Sequence, residues 1–196
     1  MAQVLFISSN RIGDCVISSG VIREIRRQIP DAAITVACGR PPAPFFRSAP
    51  GVVRTIILDK KKMAGHWLGL WSQVRSTRWD LVIDIRGSAL AYLIPARRRI
   101  VYNRSWETGL RKVEMVSQLM GAGSPLDPEI FLDQTARDQA SAVIDPQLNG
   151  GAGPGPIIAL APIAHQPGKS WPAERWGALV ERLCAEPRFT GWRFMP

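Results

Sequence analysis

Short apolar runs rich in β-branched residues, each followed by a loop and then an amphipathic stretch, recur along the chain, and this alternation leaves few folds open. Val4 to Ser8 (VLFIS) is the first run, and from Cys15 to Gln28 the residues Val16, Ile17, Val21, Ile22 and Ile25 fall broadly on one side of a helix. Pro30 and Asp31 punctuate. AITVACG (Ala33 to Gly39), VVRTIIL (Val52 to Leu58) and LVIDIRG (Leu81 to Gly87) then read as three more strands, with a helical pattern over Met63 to Thr77. None of these strands shows the in/out alternation of a sheet with one wet face. They predict parallel strands covered by helices on both faces, a doubly wound α/β domain.

Ser88 to Ala96 reads as helical, and the basic run Arg97 to Arg99 enters a fifth strand at Ile100 to Asn103. Gly109 to Met120 and Gln134 to Ile144 follow as helices, before the tract NGGAGPGP (Asn149 to Pro156), the strongest linker signal in the chain. Past it the pattern restarts with IIALAP (Ile157 to Pro162), a helix from Pro172 to about Ala185, where proline suits the first helical position, and an opening strand in FTGWRFMP. The expected organisation is one Rossmann-like domain over 1–148, a linker over 149–156, and the first strand and helix of a second α/β domain over 157–196.

With 46% hydrophobic and 21% charged residues, the 196-residue chain has enough apolar content for a core and is not of the disordered class. The formal charge of +9 favours anionic partners, but no docking module or interleaved aromatics accompany the basic groups, so nucleic acid is not expected. Cys15, Cys38 and Cys184 are odd in number and far apart, and His66 and His165 are too few, so neither a disulfide framework nor a metal site is indicated. The first residues lack a signal peptide's basic start and apolar run, and nothing approaches the roughly 20 apolar residues of a membrane span. A cytoplasmic location with peripheral membrane contact is expected.

Ligands of open α/β sheets sit beyond the carboxyl ends of the strands. The loop SSNRIGD after the first strand occupies such a place and offers Asn10, Arg11, Gly13 and Asp14 without a GxGxxG fingerprint. Asp14 reads first as a helix N-cap and second as a carboxylate base. Lys60 and Lys61 follow the third strand and Arg86 the fourth, all on the expected ligand side; Asp84 and Arg86 read equally well as a structural ion pair. In the second part, Gly168-Lys169-Ser170 stands between a strand and a helix, but Ile163 replaces the first P-loop glycine, and what remains is a lysine beside a helix entrance able to hold a phosphate as a point charge.

Taken in order, R-I-G-D opening a helix, W-D-L-V-I-D-I-R-G, A-L-A-P and K-S-W-P-A-E-R-W (Lys169 to Trp176) resemble glycosyltransferase family 9, the heptosyltransferases of lipopolysaccharide core assembly and their relatives. The resemblance implies the GT-B architecture of two Rossmann-like domains, the acceptor mainly on the first and the nucleotide-sugar mainly on the second. It implies Asp14 as the general base and Lys169, with Ser170 beside it, as the contact to the donor phosphate. It implies an inverting, metal-independent transfer without a cofactor, usually from ADP-heptose to a lipid A-core glycolipid at the inner face of the inner membrane. Many members carry Pro-Gly where this chain has Pro162-Ile163, and the family's nucleoside-holding motifs have no counterpart here. The chain is therefore expected to be an N-terminal portion, inactive alone; the alternative is a non-catalytic α/β module binding anionic glycolipid or a partner protein.

Overall fold

The computed structural model describes residues 1–59, 65–103, 109–149, 156–164 and 168–195. By its internal contacts the chain divides into two compact units, Met1–Asp133 and Gln134–Pro196. The division lies before the helix that sequence alone assigns to the first domain; of the expected linker, residues 150–155 lie outside the described residues.

The first unit runs β1 (Gln3–Ile7), α1 (Ile12–Ile17), α2 (Gly20–Gln28), β2 (Ala33–Cys38), α3 (Ala43–Arg47), β3 (Val52–Ile57), α4 (Gly65–Val74), β4 (Trp79–Asp84), β5 (Ala96–Val101) and α5 (Lys112–Leu119). Its five strands are all parallel, in the order β3-β2-β1-β4-β5. This is the doubly wound α/β fold that the sequence predicts. The order reverses at β1, so the loops after β1 and β4 diverge and leave a crevice at their carboxyl ends.

The reason for the unbroken apolar runs is visible in β1. Val4 and Phe6 join one buried cluster with Ile22, Ile25 and Phe46, while Leu5 and Ile7 join the opposite cluster with Leu70, Val74 and Trp79. Both faces of the central strands are dry, and each large side chain so buried contributes about 1.5–3 kcal/mol. The edges differ. β3 is largely exposed, and Arg97 to Arg99, expected to precede the fifth strand, lie within β5, whose other edge carries no partner strand among the described residues. The Arg99 guanidinium turns back onto the carbonyls of Ala91, Ile94 and Ala96, and the expected helix over Ser88 to Ala96 shrinks to a 3₁₀ turn at Ala89–Tyr92.

The first amphipathic stretch is two helices, not one. Ser18 and Ser19 hydroxyls bond back to the Cys15 and Val16 carbonyls, and the amides of Ser19, Val21 and Ile22 bond three residues back, which tightens the turn. Gly20 lies there because a Cβ would stand 2.6 Å from the Asp127 carbonyl oxygen. The short α3, in the proline-rich segment, has no counterpart in the expectations.

The second unit holds α6 (Gln134–Asn149), β6 (Ile157–Ala159), α7 (Ala173–Ala185) and β7 (Arg193–Met195). β6 and β7 pair in parallel, Ile157 opposite Arg193, so the strand expected in FTGWRFMP forms. Pro172 stands at the N-cap of α7, one place earlier than expected. No helix among the described residues is long and apolar enough to cross a membrane.

Candidate active site

The loop from β1 into α1 is held by its own polar atoms. Ser9 Oγ donates to Asp14 Oδ2 at 3.1 Å and accepts the Arg11 amide at 3.4 Å. On its other side Gly39 donates its amide to the Ser9 carbonyl at 3.1 Å, and a Cβ on Gly39 would lie 2.7 Å from Asn10 Cα. A glycine at the end of β2 is thus what lets the loop lie against the sheet. Gly13 has no such duty, since a Cβ there would meet nothing within 4 Å.

Asp14 is not the N-cap of α1; Arg11 holds that position, and Asp14 sits in the first turn. Lys112 Nζ, at the start of α5, donates to Asp14 Oδ1 at 2.7 Å. The Asp14 side chain is 26% exposed and that of Lys112 49%. Burial pushes the Asp14 carboxyl up, but the hydrogen bond and charge of Lys112, the Ser9 hydroxyl and the Arg11 charge together bring it below its ordinary 3.8. An ionised carboxylate therefore stands at the mouth of the central strand, paired to an ammonium 98 residues away in sequence.

Across the crevice, Asp84 and Arg86 do not pair as the simple ion pair that sequence offers. Asp84, fully buried, accepts the amides of Arg86 and Ser88, each at 2.8 Å, and the Ser88 hydroxyl, which folds the β4 loop around its carboxylate. Burial pushes its pKa up, against those hydrogen bonds and the Arg86 charge. Arg86 donates from Nη1 to Asn10 Oδ1 at 3.2 Å and lies over the Trp67 ring, 4.7 Å from its centroid. It thereby ties the β4 loop to the β1 loop, and with Trp67, Trp71 and Leu90 it lines an apolar groove of about 520 Å³.

Of the residues predicted for the site, the structure gathers the catalytic candidate Asp14 and the substrate-binding candidates Asn10, Arg11, Gly13 and Arg86 around the carboxyl ends of β1 and β4. Lys60 and Lys61 lie outside the described residues. Lys169 and Ser170 belong to the second unit, where Ser170 Oγ accepts the Ala164 amide at 2.9 Å and Gly168 takes a positive φ of 82°. Lys169 borders a recess of about 340 Å³ walled by Pro162, Trp171, Trp176 and Leu179. Trp176 Nε1 is buried and has no hydrogen-bond partner among the described residues.

Lys112 and the Arg86–Asn10 contact escape sequence reasoning. No local pattern links residues so far apart; Lys112 carries only the signal of being a cation at a helix start, where an acidic residue is the favoured choice.

No protein-family profile matches the chain, and no curated protein matches it. Solved structures do. A glycosyl transferase of family 9 from Veillonella parvula matches 98% of this chain with a TM-score of 0.77 at 17% identity, and the chain spans 61% of its length. The E. coli heptosyltransferase WaaC with ADP matches 99% at TM-score 0.61 and 16% identity, and the E. coli ADP-heptose lipopolysaccharide heptosyltransferase II matches 98% at 0.61 and 18%. The chain spans 75% and 72% of those two. At such identities the likeness establishes that the chain shares the fold of these structures.

Proposed function

We propose that the chain forms the acceptor-side domain and part of the donor-side domain of an inverting glycosyltransferase of family 9. The observation that carries the reading is the Asp14 carboxylate, ionised and partly exposed in the first helical turn after β1, in a fold shared with heptosyltransferases. In this reading an acceptor hydroxyl lies against Asp14 and attacks the anomeric carbon of the donor. Its proton passes to the Asp14 carboxylate, the bond from the anomeric carbon to the diphosphate oxygen breaks, and the nucleoside diphosphate leaves with the electron pair. Lys169 offsets the charge that grows on the diphosphate, and Ser170 fixes the loop that carries it.

The donor is ADP-heptose, the ligand class of the E. coli neighbours solved with ADP and with its 2-deoxy-2-fluoro heptose analogue. The acceptor is a lipid A-core glycolipid, reached by peripheral contact of the basic surface with the anionic cytoplasmic face of the inner membrane. Neither a metal nor a cofactor takes part.

The test is nucleoside diphosphate release from a panel of donors, ADP-heptose included, with a lipid A-core acceptor. It is run on the 196-residue chain and on the protein of its complete reading frame. Asp14→Asn should lower turnover by about 10²–10⁴ while leaving donor affinity in place; Lys169→Ala should weaken donor binding. Full turnover in Asp14→Asn defeats the assignment.

A further inference from the structure

We propose that Lys112 is a positioning residue of this site: in the unliganded chain its ammonium holds the Asp14 carboxylate, and a phosphate group on the acceptor takes the ammonium over and frees the carboxylate to accept a proton. The proposal rests on Asp14 being the base. Its ground is geometric. Lys112 Nζ is 2.7 Å from Asp14 Oδ1, and its side chain, half exposed, can be reached from solvent.

The neighbouring cation is already committed. Arg111 caps α5 through its amide and guanidinium, both bonded to the Glu114 carboxylate, so it is not free to serve Asp14. An exposed pair of this kind contributes little to stability, which leaves its position at the mouth of the central strand to be explained. A carboxylate gripped by an ammonium is a poor base, because the proton it must accept competes with the ion pair. Lysine suits the exchange: it is a point charge with three donors on a flexible stem, and a dianionic phosphate attracts it more strongly than a monoanionic carboxylate does. Binding the correct acceptor thereby raises the basicity of Asp14, and a neutral sugar lacking the phosphate leaves the base held.

Among the described residues, the charged and titratable groups facing Asp14 are Lys112 from α5, Arg11 from its own loop and Cys15 on α1, with Arg86 from the β4 loop acting on Cys15. Only Lys112 both pairs with the carboxylate and sits on an element outside its own loop and helix.

The decisive measurement is a ¹³C NMR titration of the Asp14 carboxyl in the 196-residue chain, in wild type, Lys112→Met and Lys112→Arg. Lys112→Met should raise the midpoint by about one pH unit, and Lys112→Arg should restore it to within about 0.3. Sulfate, predominantly a tetrahedral dianion near these midpoints, should raise the wild-type midpoint beyond the effect of sodium chloride at equal ionic strength, and should do nothing further in Lys112→Met. An unmoved midpoint in Lys112→Met overturns the proposal, as does a sulfate effect equal to that of chloride. The readout is independent of turnover: an Asp14 that titrates as described in a protein whose Asp14→Asn variant is fully active sinks the catalytic reading and with it the base-release step, whereas an unmoved midpoint beside an inactive Asp14→Asn sinks the Lys112 proposal alone.

Discussion

Gly39→Ala should loosen both the first unit and the candidate site, and the structure allows the size of the effect to be worked out. The added Cβ would lie 2.7 Å from Asn10 Cα and 2.8 Å from the Asn10 carbonyl oxygen, where ordinary contacts begin at 3.4 Å. Both atoms are backbone, so no side chain can swing away, and the β1 loop has to retreat by about 0.7 Å. Gly39 is not among the glycines with positive φ, so alanine meets no backbone penalty there and the cost is steric alone. Overpacking of this kind costs about 1–3 kcal/mol, offset by about 0.4–1 kcal/mol from the stiffer unfolded chain. The mid-range net destabilisation is about 1.3 kcal/mol, a fall in Tm of about 3–5 °C for a chain of this size.

The retreat also stretches the Gly39 amide bond to Ser9 and the Arg86 bond to Asn10, which moves the segment carrying Asp14. Misplacement on this scale can cost about 10²-fold in rate. The assay is thermal and urea denaturation followed by circular dichroism, with Gly13→Ala as the control. A Cβ on Gly13 meets nothing within 4 Å, so that variant should be unchanged or more stable by up to about 1 kcal/mol. If Gly39→Ala unfolds at the wild-type temperature, the close approach of the loop to β2 is not a constraint and the reasoning fails.

Asp84→Ala should cost about 2–4 kcal/mol, because it strips the acceptor from the amides of Arg86 and Ser88; a urea midpoint within error of wild type would contradict that role. Burial pushes the Cys38 thiol up to about 12 and raises that of Cys15, whereas Cys184 is exposed. A thiol reagent at pH 8 should therefore modify Cys184 fast and the other two only on unfolding, and three equally fast thiols would refute this. Glu24, buried on α2, is held below its ordinary 4.5 by hydrogen bonds from Arg27 and Gln28, against the cost of burial. Its stabilising contribution is complete above its unfolded value and is lost as pH falls through the lowered folded one, so Glu24→Gln should flatten the acid limb of the stability curve below about pH 4.5. An acid limb unchanged in Glu24→Gln would show that other carboxylates govern it.

The strands were readable wherever burial decides the sequence. β1, β2 and β4 are dry on both faces over most of their length, so apart from Gln3, Thr35, Asp80 and Asp84 their positions are apolar and the run stands out without any knowledge of the partner. The start of β5 is hidden for the converse reason: at an edge, Arg97 to Arg99 can remain solvated while the backbone still pairs with β4, and their charge masks the strand. The break between α1 and α2 was hidden as well, since Val16, Ile17, Val21 and Ile22 keep a helical spacing across it. At the break Ser18, Ser19, Val21 and Ile22 bond three residues back, and Gly20 makes room for the Asp127 carbonyl more than a hundred residues on.

The parallel α/β class and the loop after β1 that carries Asp14 follow from the sequence alone, because hydrophobic period and turn chemistry are local and survive without a partner. The chemical state of that loop is set by contacts that exist only in the folded chain. Sheet order carries β4 to the flank of β1 and brings Lys112 at the start of α5 to Asp14, Arg86 to Asn10 and Gly39 beneath Asn10. Those contacts join residues between 29 and 98 positions apart, and electrostatics and close packing act through space, so no periodicity along the chain encodes them.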